Sequence, residues 1–105
     1  MTYTEQQIRD IAPGTGLDAL VERSIMKTKK VPKFYSTDMD AAMVVESEIS
    51  EDDELLGRYV FALMDIVGIE DPDVPPSPDD IFALIHASAA DRCRAALLAI
   101  GCAEQ

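Results

Sequence analysis

Six helix-start signals fall within 105 residues, and they constrain this chain more than any other feature. A Ser, Thr or Asp ahead of an apolar run can accept a bond from one of the unpaired N–H groups of a first helical turn. Starts this closely spaced leave room for helices of two to four turns. Helices that short are marginal alone and must bury a shared apolar face.

The first start is Thr4, with Gln7 able to complete a capping box and Tyr3 placed to pack on Ile8; Ala12-Pro13-Gly14 closes that segment. Thr15 opens a second run with Asp18 three residues on. Leu17, Leu20, Val21 and Ile25 recur at helical spacing, and the run ends at Val31-Pro32. Ser36-Thr37-Asp38 opens a third, in which Thr37 and Asp40 form a second T-x-x-D box; its apolar residues span a wide arc, which predicts a central position. Residues 51–68 put Leu56, Tyr59, Val60, Leu63 and Val67 on one stripe, with Ser50 as cap and Gly68 as stop. The same stretch also contains RYVFALMDIV, an apolar run with poor alternation, so a strand over 58–67 is the alternative. Residues 69–78 carry four of the six prolines and read as an exposed loop. Ser77-Pro78-Asp79-Asp80 opens a fifth helix, although Ile-Phe-Ala-Leu-Ile is short enough to serve as a strand over 81–86. Ser88 opens the last helix, through about Ile100, with Gly101 as its stop. The expected fold is therefore a mainly α, compact single domain of four to six helices. The runner-up is α+β, with helices on a small sheet from 58–67 and 81–86.

Composition narrows the function classes. Hydrophobic residues make up 48% of the chain and charged residues 28%, which suits a globular chain with one core. Nine basic against twenty acidic residues give a formal charge of -11, so direct binding to nucleic acid or an anionic membrane is not expected. No apolar run approaches the roughly 20 residues that span a bilayer. The N-terminal MTYTEQQIRD lacks the pattern of a secretory signal, which points to a cytoplasmic setting. On one helix, Cys93 and Cys102 would lie about 13.5 Å apart on opposite faces, too far for a disulfide. Cys93 then reads as a small buried apolar residue.

The charge is unevenly placed. Residues 1–33 balance at +2 and residues 34–105 at -13. Six acids fall in nine positions: Glu46, Glu48, Glu51, Asp52, Asp53 and Glu54. Five more lie between 70 and 80. The plain reading is solvated helix starts whose carboxylates suit the dipole. The functional reading is an acidic face that docks on a basic surface, with Glu48, Glu51, Asp52, Asp53 and Glu54 as the contact residues. Asp71 and Asp73 do not open a calcium loop, since no glycine follows in register and position 82 is Phe. The opposing feature is the basic stretch Lys27 to Lys33 with Tyr35. Lys29, Lys30, Lys33, Tyr35 and Arg94 form an alternative site for a phosphate-bearing ligand; the plain reading there is a capped helix end and a solvated loop.

Catalytic signatures are missing. His86 is the one histidine and reads as a core or boundary residue, and two cysteines on opposite faces do not complete a zinc site. There is no nucleophile elbow, phosphate loop or zinc-protease helix motif. The chain is read as non-enzymatic, without cofactor or metal.

Three segments together resemble small bacteriophage proteins of the phage ABA-sandwich domain family. They are Leu17-Asp18-Ala19-Leu20-Val21, Tyr35-Ser36-Thr37-Asp38-Met39-Asp40-Ala41-Ala42 and Asp91-Arg92-Cys93-Arg94-Ala95-Ala96-Leu97-Leu98-Ala99. The resemblance covers roughly residues 14–45 and 86–101. It implies a phage or prophage origin, a host bacterial cytoplasm and an α/β/α arrangement, and it brings no catalytic residues. With the acidic face, it leads to a phage accessory protein that inhibits a host nucleic-acid-binding defence protein. The alternatives are an oligomeric sponge for a signalling nucleotide and a structural, self-assembling protein.

Overall fold

The last helix is the one the others pack around. In the computed structural model, which describes residues 3–27, 31–69, 75–101 and 103–104, this helix spans Ala89–Ala99 and buries eight of its 11 residues. Five of the eight are alanines: Ala89, Ala90, Ala95, Ala96 and Ala99. Their short side chains let neighbours approach from several directions. In chain order the helices are α1 (Glu5–Asp10), α2 (Thr15–Ser24), α3 (Met39–Ser50), α4 (Asp53–Ile66), α5 (Pro78–Ile85) and α6 (Ala89–Ala99). Helices α1, α2, α3 and α4 all pack on α6. Their shared core joins Ile8, Leu17, Val21, Val45, Ile49, Tyr59, Leu63 and Leu97. Strands β1 (Tyr3–Thr4) and β2 (Ala103–Glu104) pair in parallel, Tyr3 with Ala103 and Thr4 with Glu104. The radius of gyration, 13.1 Å, fits a compact globule of this length (about 13 Å for 100 residues).

The mainly helical expectation holds. The α+β runner-up does not: 58–67 falls in α4 up to its C-cap Val67, and 81–86 falls in α5 up to its C-cap His86. Each run is seeded by a preceding cap, and that outweighs its strand-like composition. No α/β/α layering is present among the described residues, where the two-residue pair is the only sheet. The pivot is also different from the one predicted, α6 rather than α3.

The capping chemistry fixes most boundaries. Thr4 Oγ1 accepts from Gln7 N at 3.0 Å while Thr4 N donates to Gln7 Oε1 at 2.8 Å. Ser77 and Asp80 make the equivalent reciprocal pair at 3.1 and 3.0 Å, with Pro78 in the first turn. Ser88 Oγ accepts from Asp91 N. Three predicted caps shift by one or two residues. Gly14, not Thr15, caps α2, and Asp38, not Thr37, caps α3. Asp52, not Ser50, caps α4, because the Ser50 hydroxyl donates back to Ser47 O. Helix α2 ends at Ser24, well before Val31; 28–30 lie outside the described residues, as do 70–74 of the proline-rich loop. At the end of α4, Gly68 N donates to Asp65 O and Ile69 N to Met64 O, a closure that needs the positive φ of 93° that glycine supplies. Gly101, at φ 74°, follows α6 as expected.

Candidate functional site

The acidic cluster lies at the corner between α3 and α4. Glu48 is in the last turn of α3, Glu51 is its C-cap, Asp52 caps α4, and Asp53 and Glu54 occupy the first turn of α4. All five are exposed. Two have structural duties. Asp52 Oδ1 accepts from Glu54 N at 2.9 Å and Leu55 N at 3.2 Å, and Glu54 pairs with Arg58 at 2.8 Å. Glu48, Glu51 and Asp53 make no hydrogen bond or ion pair with the described residues. Glu48 also borders a cavity of about 350 Å³ shared with Lys27, Ile25, Leu55 and Ile100. Glu46, the sixth acid of the run, turns away from the corner and pairs with Arg92.

Of the alternative anion site, Lys33, Tyr35 and Arg94 are among the described residues, and Tyr35 and Arg94 have internal partners. Tyr35 is buried, and its hydroxyl donates to Glu22 Oε1 at 2.7 Å. Burial first, and then Glu22, push this phenol up to about 12. Beside it, Asp18 Oδ1 accepts from Ser36 N and Oγ at 2.8 and 2.7 Å, fastening α2 to the loop ahead of α3. Arg94 donates through Nε and Nη2 to Ile11 O at 3.1 and 2.7 Å, and through Nη1 to Asp91. Lys33 is exposed, and Lys29 and Lys30 lie outside the described residues.

Cys93 is fully buried, as expected, with Sγ donating to Tyr35 O at 3.3 Å. Burial pushes its thiol up to about 12, with Asp18 adding and Arg94 opposing. Cys102 lies outside the described residues. His86 is not a core residue: it is exposed at the C-cap of α5 and stacks on Phe82, ring centroids 4.1 Å apart. Among the described residues no three His, Cys, Asp or Glu side chains are grouped to hold a metal, and no helix is long and apolar enough to cross a membrane.

One feature was not foreseen from the sequence. Helix α5 buries none of its own residues, leaving Ile81, Phe82 and Ile85 exposed. Between α3, α4 and the end of α5 runs an open groove of about 390 Å³, walled by Met43, Val60, Leu63, Leu84 and Ile85. Its polar lining is Glu46, Tyr59 and Arg92. Every nitrogen of the Arg92 guanidinium is engaged. Nε donates to Ala87 O at 3.2 Å, Nη2 to Leu84 O and Ile85 O at 3.1 and 2.9 Å, and Nη1 to Glu46 Oε1 at 3.2 Å. Arg92 thus caps α5 with a positive charge where a helix C-terminus favours one. The Tyr59 hydroxyl is buried and has no hydrogen-bond partner among the described residues. Burial raises its pKa, the nearby Glu46 carboxylate raises it further, and Arg92 acts the other way. The phenol therefore stays protonated, able both to donate and to accept.

The chain matches no protein-family model, no curated protein and no solved structure.

Proposed function

We propose that this is a small acidic binding protein that docks, through the α3–α4 corner, on a basic protein surface built for nucleic acid. The observation that carries the reading is the exposure of Glu48, Glu51 and Asp53 where α3 ends and α4 begins, without an internal partner among the described residues. Their proximity is enforced by sequence, since one tight turn joins the two helices. Carboxylates left free in this way speed encounter with a positive patch and select against negative ones. A phage origin, proposed on the resemblance of the Tyr35–Ala42 and Asp91–Ala99 segments, makes a host defence protein the natural target and the bacterial cytoplasm the setting. The reading needs no catalysis, cofactor or metal. A nucleotide sponge is the weaker alternative, because Tyr35 and Arg94 already serve internal partners.

The test is Glu48→Lys/Glu51→Lys/Asp53→Lys, which leaves the Asp52 cap intact. Quantitative capture from bacterial lysate should recover a partner with the native chain, lose it with the triple variant and weaken as salt rises. Equal capture by both chains ends the reading.

A further inference from the structure

We propose that the groove between α3, α4 and α5 is a second docking site, shaped for an amphipathic basic segment of a partner protein that inserts an apolar side chain beside a Lys or Arg. This rests on the chain being a binding protein, but not on the acidic corner being its contact.

Three observations lead to this occupant. The first is polarity. Tyr59 is 2% exposed and lines the groove, and its hydroxyl has no hydrogen-bond partner among the described residues. An unmet buried hydroxyl is uncommon in a folded chain and calls for an explanation. Glu46 gives Oε1 to Arg92, and its carboxylate stands close to the Tyr59 hydroxyl. The one cation in the groove has all its nitrogens engaged, so what the groove offers an incoming group is mainly acceptors. A cationic donor satisfies them; an anion does not.

The second is extent. Apolar exposure continues past the groove along α5, where Ile81 is 46% and Phe82 63% exposed beyond Ile85 at 64%. Ile81, Phe82 and Ile85 are spaced to form one stripe. A small molecule filling about 390 Å³ leaves most of that stripe in water, whereas a helix laid across it covers both, as in helix-in-groove recognition. The third is charge. Each copy of the chain carries -11, so a second copy brings repulsion, while a basic segment brings attraction.

The probe is a synthetic 18-residue Leu/Lys amphipathic peptide, with a Leu/Glu peptide of the same pattern as control. Both are titrated into the full-length protein and followed by backbone amide NMR and fluorescence anisotropy. The Leu/Lys peptide should shift amides of 43–46, 59–63 and 84–87, and the Leu/Glu peptide should not. Ile85→Asp, at an exposed site that leaves the core intact, should abolish those shifts. Tyr59→Phe, which removes only the orphan hydroxyl, should weaken binding by about two- to tenfold, the effect of one modest hydrogen bond. Shifts confined to 48–54 overturn the groove while sparing the corner. Shifts confined to the groove support it and count against the corner. Equal binding of the Leu/Glu peptide overturns the cationic partner. A dimer in sedimentation that Ile85→Asp dissolves overturns it in favour of self-association.

Discussion

Replacing Arg92 by Ala removes four hydrogen bonds, one of them an ion pair, at a stroke, and the structure says where the cost falls. The Arg92 side chain is 10% exposed and its partner Glu46 is 31% exposed. Breaking a buried pair by removing one partner costs about 3–5 kcal/mol. Glu46 is open enough to regain water, which places this case near the bottom of that range. The carbonyls of Leu84 and Ile85 also lose this donor, but they sit at the end of an exposed helix and water replaces it, whereas the carbonyl of the buried Ala87 is left without it. A loss of about 3 kcal/mol in urea unfolding is expected, a large part of the 5–15 kcal/mol that holds typical domains. The loss should also be localised. Helix α5 has no buried residue of its own, so amides of 81–86 should exchange much faster in Arg92→Ala, while those of 93–97 should change only with global stability. Glu46→Gln keeps an acceptor for Nη1 and should cost about 1 kcal/mol. A change below about 1 kcal/mol in Arg92→Ala, or equal acceleration across α5 and α6, refutes the idea that this guanidinium fastens α5 to the core.

Asp52→Ala removes the carboxylate that receives two first-turn N–H groups of α4; it should lower stability by about 1 kcal/mol, whereas Asp53→Ala, one residue on, should change it little. Tyr59→Phe should leave the unfolding midpoint unchanged or raise it, because the hydroxyl it deletes has no partner among the described residues; a loss above about 1 kcal/mol means that hydroxyl is bonded. Alkaline pH should destabilise the fold. Cys93 moves from 9.0 to about 12 on folding and Tyr35 from 10.0 to about 12. Both groups are held in their neutral forms, so their contribution is complete below pH 9 and declines as the pH climbs to 12. Unfolding measured across pH 8–12 should show that fall, and Cys93→Ala together with Tyr35→Phe should flatten it.

What the sequence made legible follows the range of each force. Capping acts across three residues, so the helix starts at Thr4, Ser77 and Ser88 are readable with the bonds they make. At Asp38 and Asp52 two candidate caps stand within a few residues of each other, and spacing alone does not choose between them. The acidic corner is legible because its members are neighbours in the chain. Glu46 is the exception, drawn to an arginine 46 positions away. The same distance hides the groove. Met43, Val60 and Ile85 carry no mark of sharing a wall until α3, α4 and α5 are set around α6. The central role of α6 has a faint signal in its alanines, which an apolar-stripe reading undervalues because Ala contributes little hydrophobicity. The internal partners of Tyr35 and Arg94 are not legible because Glu22 and the Ile11 carbonyl lie 13 and 83 positions away.

The function proposed for this chain is to present a negative surface in place of nucleic acid. Its most direct test is to load the captured partner complex with increasing duplex DNA at fixed ionic strength and quantify what is released. If the α3–α4 corner occupies a nucleic-acid-binding surface, DNA should displace the protein in a dose-dependent manner. A complex that keeps its full complement of partner at saturating DNA contradicts the account.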